Sequence, residues 1–95
     1  MKKKDIIKKL QREREMLKEK GVKKIGLFGS FLRGKQKPRS DVDILIEFKK
    51  PTFDNYAEVL ILLEKVLRRK IDLVTKSSLR PELKYIIKEA EYVRL

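Results

Sequence analysis

The chain contains no cysteine and no histidine. The first absence excludes disulfides and thiolate-held metals. The second excludes imidazole acid–base chemistry and histidine-ligated zinc. Any metal must therefore be a hard ion held by carboxylates, which points to magnesium or manganese. Tryptophan is also missing, and aromatics are limited to three tyrosines and four phenylalanines. No apolar stretch has membrane-spanning length and no signal peptide is visible, so the expected compartment is the cytoplasm, with no membrane association.

What is present is charge. Lys and Arg number 26 against 14 Asp and Glu, a formal net charge of +12. Such a field attracts nucleotides, nucleic acid or an acidic protein without choosing among them. Charged residues make up 42% of the chain, a composition that would suit a hyperthermophile. At 95 residues the expected organisation is a single domain over 1–95. It has no room for separate catalytic and acceptor domains, so a bulky substrate must come from outside.

Hydrophobic spacing predicts a helix over 5–19, with Ile6, Ile7, Leu10 and Leu17 near one face, Asp5 capping its start and Gly21 ending it. A short strand is expected over 23–28, with Ile25 and Phe28 inside, then a helical turn in SFLRG and a polar loop over 35–40. VDILIEF, residues 42–48, alternates as a strand: Val42, Ile44, Ile46 and Phe48 on one face, Asp43, Leu45 and Glu47 on the other. A helix is expected over 53–69, apolar on most sides at VLILLEKVL and so the most buried. A strand follows over 70–75. Ser78 is expected to cap a last helix, with Pro81 in its first turn and Leu83, Ile86, Ile87, Ala90 and Val93 inward. Tyr85 and Tyr92, seven apart on that helix, form either a partner patch or ordinary packing. The sum is a small α/β domain, one sheet backed by helices.

Asp41 and Asp43 stand two apart where strand 42–48 begins. In extended chain such residues point the same way, roughly 7 Å apart at the backbone. Like charges so placed repel unless something positive lies between them. Two divalent ions about 3.5 to 4 Å apart are the usual clamp for phosphoryl or nucleotidyl transfer. Asp72 interrupts an apolar strand, which is costly unless it is paired or metal-bound. If strand 70–75 lies beside strand 42–48, Asp72 shares the wet face, opposite Ile71 and Leu73. Each of these has a plain alternative, as a solvated strand start or a lysine partner. Gly29–Ser30 turns from strand to helix, where backbone N–H groups can meet a phosphate. Arg33 suits either a triphosphate or a salt bridge at the edge. Lys35, Lys37 and Arg39 either steer a polyphosphate or are simply solvated.

GSFLRG at 29–34, SDVDILIEF at 40–48 and KIDLVT at 70–75 together resemble the minimal nucleotidyltransferases of the DNA polymerase beta-like superfamily. The matching positions are Gly29, Ser30, Arg33, Gly34, Ser40, Asp41, Asp43 and Asp72, with Ile46 as a conservative change at the end of the second motif. The resemblance implies a small α/β nucleotidyltransferase fold with a mixed three- to four-stranded sheet backed by helices, two magnesium ions and ATP as the substrate; manganese is an equivalent ion. Asp41, Asp43 and Asp72 would be the catalytic and metal-binding residues, while Gly29, Ser30, Arg33 and Ser40 would serve the nucleotide. It implies in-line attack of a hydroxyl on the α phosphorus with loss of pyrophosphate. It also implies a partner: small members resemble antitoxins that move AMP to a tyrosine of a HEPN-domain ribonuclease toxin.

Rival readings are a catalytically weak antitoxin that works by docking alone, nucleotidyl transfer to RNA or a small molecule, and a nucleic-acid binder. The charge favours the last, yet no readout motif is present. An oligomer could build an acceptor pocket, and the sequence leaves oligomeric state open.

Overall fold

Alternation decides the central strand. In β2 (Val42–Phe48), Val42, Ile44 and Ile46 are buried on one face of the sheet, while Leu45 is buried on the other. The computed structural model describes residues 1–95. In chain order it runs α1 (Lys3–Arg12), α2 (Arg14–Glu19), β1 (Val22–Phe28), α3 (Gly29–Arg33), β2, α4 (Phe53–Leu67), β3 (Ile71–Thr75), α5 (Tyr85–Glu89) and β4 (Glu91–Tyr92). Two short 3-10 turns, Lys76–Ser78 and Pro81–Leu83, join β3 to α5.

The sheet has the order β3-β2-β1-β4. β1 is antiparallel to both β2 and β4, and β2 is parallel to β3. The sheet is therefore mixed, as expected, with four strands. The parallel pair requires a crossover, and α4 supplies it.

One face carries the main core. Ile6 and Leu10 from α1, Leu17 from α2 and Val59, Leu63 and Leu67 from α4 close over Ile25, Ile44 and Ile46. The other face carries a small cluster of Leu45, Leu79, Ile86 and Ala90, with Phe28, Val74 and Ile87 at its margin. Phe28 thus joins this second cluster and is only partly buried. No helix is long and apolar enough to cross a membrane.

Three local expectations are corrected. The first helix breaks at Glu13 (φ −94°, ψ 11°), for which nothing in the structure offers a cause. Asp5 sits in the first turn, where its carboxylate accepts the Lys2 N–H at 2.8 Å; Lys2 is the cap. α4 is buried along one stripe only: Ile61 remains 64% exposed and Phe53 81%. It still buries more residues than any other helix, Val59, Leu63 and Leu67, but the apolar residues of VLILLEKVL are not buried on most sides. The last helix also fails to form as one piece. Pro81 starts a 3-10 turn, α5 lasts five residues, and Ala90 turns extended (φ −58°, ψ 141°). Glu91 and Tyr92 then pair with Leu27 and Gly26. Tyr92 and Tyr85 therefore do not share a helix face. Tyr92 lies over Gly26, where a Cβ would come within 2.9 Å of its ring, and its hydroxyl donates to the Ile87 carbonyl at 2.6 Å.

Candidate active site

The ends of β1, β2 and β3 bring the sequence-selected residues together. β1 ends at Phe28, which is the register partner of Asp43. Asp43 in turn is the register partner of Asp72 on β3. Because neighbouring strands lie about 4.8 Å apart and register partners point to the same face, the two carboxylates stand side by side. Ile71 and Leu73 face the main core, so Asp72 faces outward, as its parity predicts.

The turn after β1 completes the arrangement. Gly29 has φ +75°, a left-handed value that favours glycine. A Cβ at Gly29 would fall on the Asp43 carboxylate, 2.8 Å from its Cγ. The Ser30 backbone N–H, one of the unpaired donors at the start of α3, favours the charged form of that carboxylate. Gly34, also left-handed at φ +70°, ends that helix.

Crowding of acids shows in the Asp43 carboxyl, which is pushed up to about 6. Burial is the main cause, followed by the charge and proximity of Asp72. Asp41 adds to the rise through its charge, and the Ser30 N–H opposes it. Two carboxyl groups in contact need a proton or a cation between them. Asp41 precedes β2 and is exposed. No three acidic side chains gather closely enough to cage an ion. The pair Asp43–Asp72 is thus assembled, whereas Asp41 influences it only from the side.

The remaining sequence-selected residues have partners of their own. Arg33 pairs with Glu89 on α5, donating from Nη2 at 3.0 Å and from Nε at 3.3 Å. That bond, then the charge of Glu89, raises the affinity of Arg33 for its proton. Of the two roles expected for Arg33, the structure contains the salt bridge. The Ser40 hydroxyl accepts the Lys37 N–H at 2.8 Å, closing the loop before Asp41.

Two contacts had no sequence signal of their own. Glu89 lies in the part of the last helix that does form, 56 residues from Arg33, and nothing in its local pattern marks the pairing. Arg69 was one cation in the run Arg68-Arg69-Lys70, yet it donates from Nη1 to the Pro38 carbonyl at 3.0 Å and lies over the Phe31 ring at 5.3 Å.

Asp43 is half-buried and Asp72 is exposed at the sheet surface. A groove of about 440 Å³ lies at the opposite ends of β2 and β3, lined in part by Glu47, Phe48, Thr75 and Lys76, and includes none of the three aspartates. The chemistry argued here resides at the carboxylates.

Comparison with known proteins agrees with the geometry. The nucleotidyltransferase domain family matches residues 4–92. A Methanocaldococcus jannaschii protein named "Putative protein adenylyltransferase" is 45% identical over 85 residues, covering 84% of this chain and 85% of its own. The protein adenylyltransferase MntA of Thermococcus cleftensis is 41% identical over 83 residues, covering 85% and 84%. A solved structure described as a "putative minimal nucleotidyltransferase" superposes with a TM-score of 0.75 at 28% identity, over 96% of this chain and 95% of the other. A toxin–antitoxin crystal structure with AMP-PNP has a TM-score of 0.67 at 23% identity, over 86% and 70%, a likeness of fold.

Proposed function

The chain belongs to the nucleotidyltransferase domain family, and from that premise we propose that it is a protein adenylyltransferase. It moves AMP from ATP to a hydroxyl, a tyrosine in our reading, of a HEPN-domain ribonuclease toxin and silences it as the antitoxin. The observation that carries this is the register pairing of Asp43 with Asp72 beside the Gly29–Ser30 turn. Relatives named for protein adenylyl transfer cover most of this chain, which supports the choice of AMP and of a protein acceptor. The chain works as one domain, 1–95, in the cytoplasm.

The donor set suits a hard divalent ion. It consists of carboxylate oxygens, and two of them already need a positive charge between them. Asp43 and Asp72 would hold magnesium or manganese, with Asp41 joining them. When bound, such ions make an attacking hydroxyl nucleophilic and offset charge on the departing pyrophosphate. The chain's own residues do the rest. Gly29 leaves space for close approach, and the N–H groups opening the α3 turn bind phosphate oxygens. Arg33 must exchange Glu89 for the polyphosphate, or else hold the rim of the site. Ser40 keeps the loop before Asp41 in its turn. The hydroxyl of the acceptor forms a bond to the α phosphorus, and the bond to pyrophosphate breaks in line.

Docking without transfer draws on one observation, that no three acids form a cage. One experiment separates the readings. The purified chain is mixed with magnesium, ATP labelled at the α phosphate, and the product of the neighbouring gene. Label on the partner, lost in Asp43→Asn and Asp72→Asn, supports transfer. Tight binding with no label would overturn it in favour of docking.

A further inference from the structure

The loop that delivers Asp41 has few anchors. Within it, Lys37 and Ser40 bond to each other twice, from the Lys37 N–H to the Ser40 hydroxyl and from the Ser40 N–H to the Lys37 carbonyl. These bonds shape the turn without fixing it to the body of the protein. Two side-chain bonds fix it: Gln36 to the Met1 carbonyl at a long 3.4 Å, and Arg69 to the Pro38 carbonyl at 3.0 Å. The first depends on the chain terminus. The second comes from the segment that leads directly into β3.

Arg69 is well placed to act as a fixed post. Arg68 before it closes α4 in a left-handed conformation, φ 52°. Lys70 after it accepts the Val42 N–H through its carbonyl at 3.0 Å. Its guanidinium lies over Phe31, which is 1% exposed and follows Ser30 directly. Arg69 has no carboxylate within ion-pairing distance, so nothing competes for its donors. A planar fork can stack on a ring and donate along its edge at the same time; an ammonium cannot do both equally well.

We propose that Arg69 is a positioning residue: it holds the loop bearing Ser40 and Asp41 against the α3 turn, so that Asp41 is presented to the Asp43–Asp72 pair. One side chain then ties together the three segments that contribute to the site. This rests on the nucleotidyl-transfer reading for its purpose, though not for its geometry.

The test uses Arg69→Ala, Arg69→Met and Arg69→Lys in the full chain. Amide deuterium exchange over residues 39–42 reads loop order, and titration with manganese alone reads the acidic site. Both should change in Arg69→Ala and Arg69→Met. Exchange quickens, and manganese binding weakens by about tenfold, as for supports behind metal ligands. Melting should stay close to wild type. Arg69→Lys should recover part of both. In an Asp41→Ala background, Arg69→Ala should cause no further loss of manganese affinity, because its effect runs through Asp41. The proposal is overturned if loop exchange and manganese binding are unchanged, or if the loss is as large without Asp41 as with it. Should the wild-type chain label no partner, the transfer reading fails, while exchange and manganese binding still decide the role of Arg69.

Discussion

Asp43 and Asp72 are register partners on parallel neighbouring strands, so two carboxylates 29 residues apart in sequence share one rung of the sheet. The nearest positive options are a proton or a bound cation. Removing either carboxylate's charge should therefore abolish AMP transfer. Asp43→Asn and Asp72→Asn should each lose more than about a hundredfold in labelling rate, beyond the range seen for groups that merely support ligands. Circular dichroism should show both variants folded.

A second expectation concerns acid. The Asp43 carboxyl lies at about 6 in the folded chain against 3.8 as its ordinary value. A raised acid favours the folded state below its unfolded value, and that contribution disappears as pH rises through the folded one. Without metal, melting temperature should fall between about pH 4 and pH 7 relative to Asp43→Asn, which lacks the titration. For a half-buried group screening limits the swing to about 1 kcal/mol. Magnesium at pH 7 should restore the loss in wild type alone. Differential scanning fluorimetry across that range, with EDTA or magnesium, reads the effect.

Gly29→Ala should hurt twice. A side chain at φ +75° is strained by about 1–2 kcal/mol. Its Cβ would also displace the Asp43 carboxylate from its place beside the turn. Chemical denaturation should show the loss of stability, and manganese titration should show weakened binding.

Arg33→Ala separates two roles. Its bond to Glu89 is exposed, and exposed pairs contribute little. The melting temperature should remain close to wild type. If Arg33 meets the polyphosphate during turnover, KM for ATP should rise. An unchanged KM would leave it as a rim contact only.

Stability should follow the one-sided burial of α4. Leu63→Ala removes a fully buried side chain and should cost about 2–5 kcal/mol. Ile61→Ala, two residues earlier and 64% exposed, should stay within about 0.5 kcal/mol. Urea unfolding of the two variants tests the contrast.

Local periodicity carried the sequence reading where the chain is self-consistent. Strand 42–48, its two faces and the outward parity of Asp72 were all legible, because a buried strand in a two-layer packing must alternate. The turn at Gly29–Ser30 was legible because glycine there meets a specific backbone need. The end of the chain was not. The apolar residues from Leu83 to Val93 fit a helical stripe, but the free edge of β1 offered Glu91 and Tyr92 a ladder, and tertiary pairing overrode local propensity. The pairing of Glu89 with Arg33 was illegible too, because it joins helix residues 56 apart. The hold of Arg69 on Pro38 was illegible for the same reason: it joins residues 31 apart through one side chain, with no periodicity to announce it.

The strict alternation of β2 ties the site to the architecture that supports it. Sliding that strand by one position would drive Asp43 into the greasy interior and turn Ile44 out to water. A protein with its acids misplaced in this way could not persist as an intact but inert species. Heat should therefore extinguish activity and the register of this strand along a single curve in the wild-type chain.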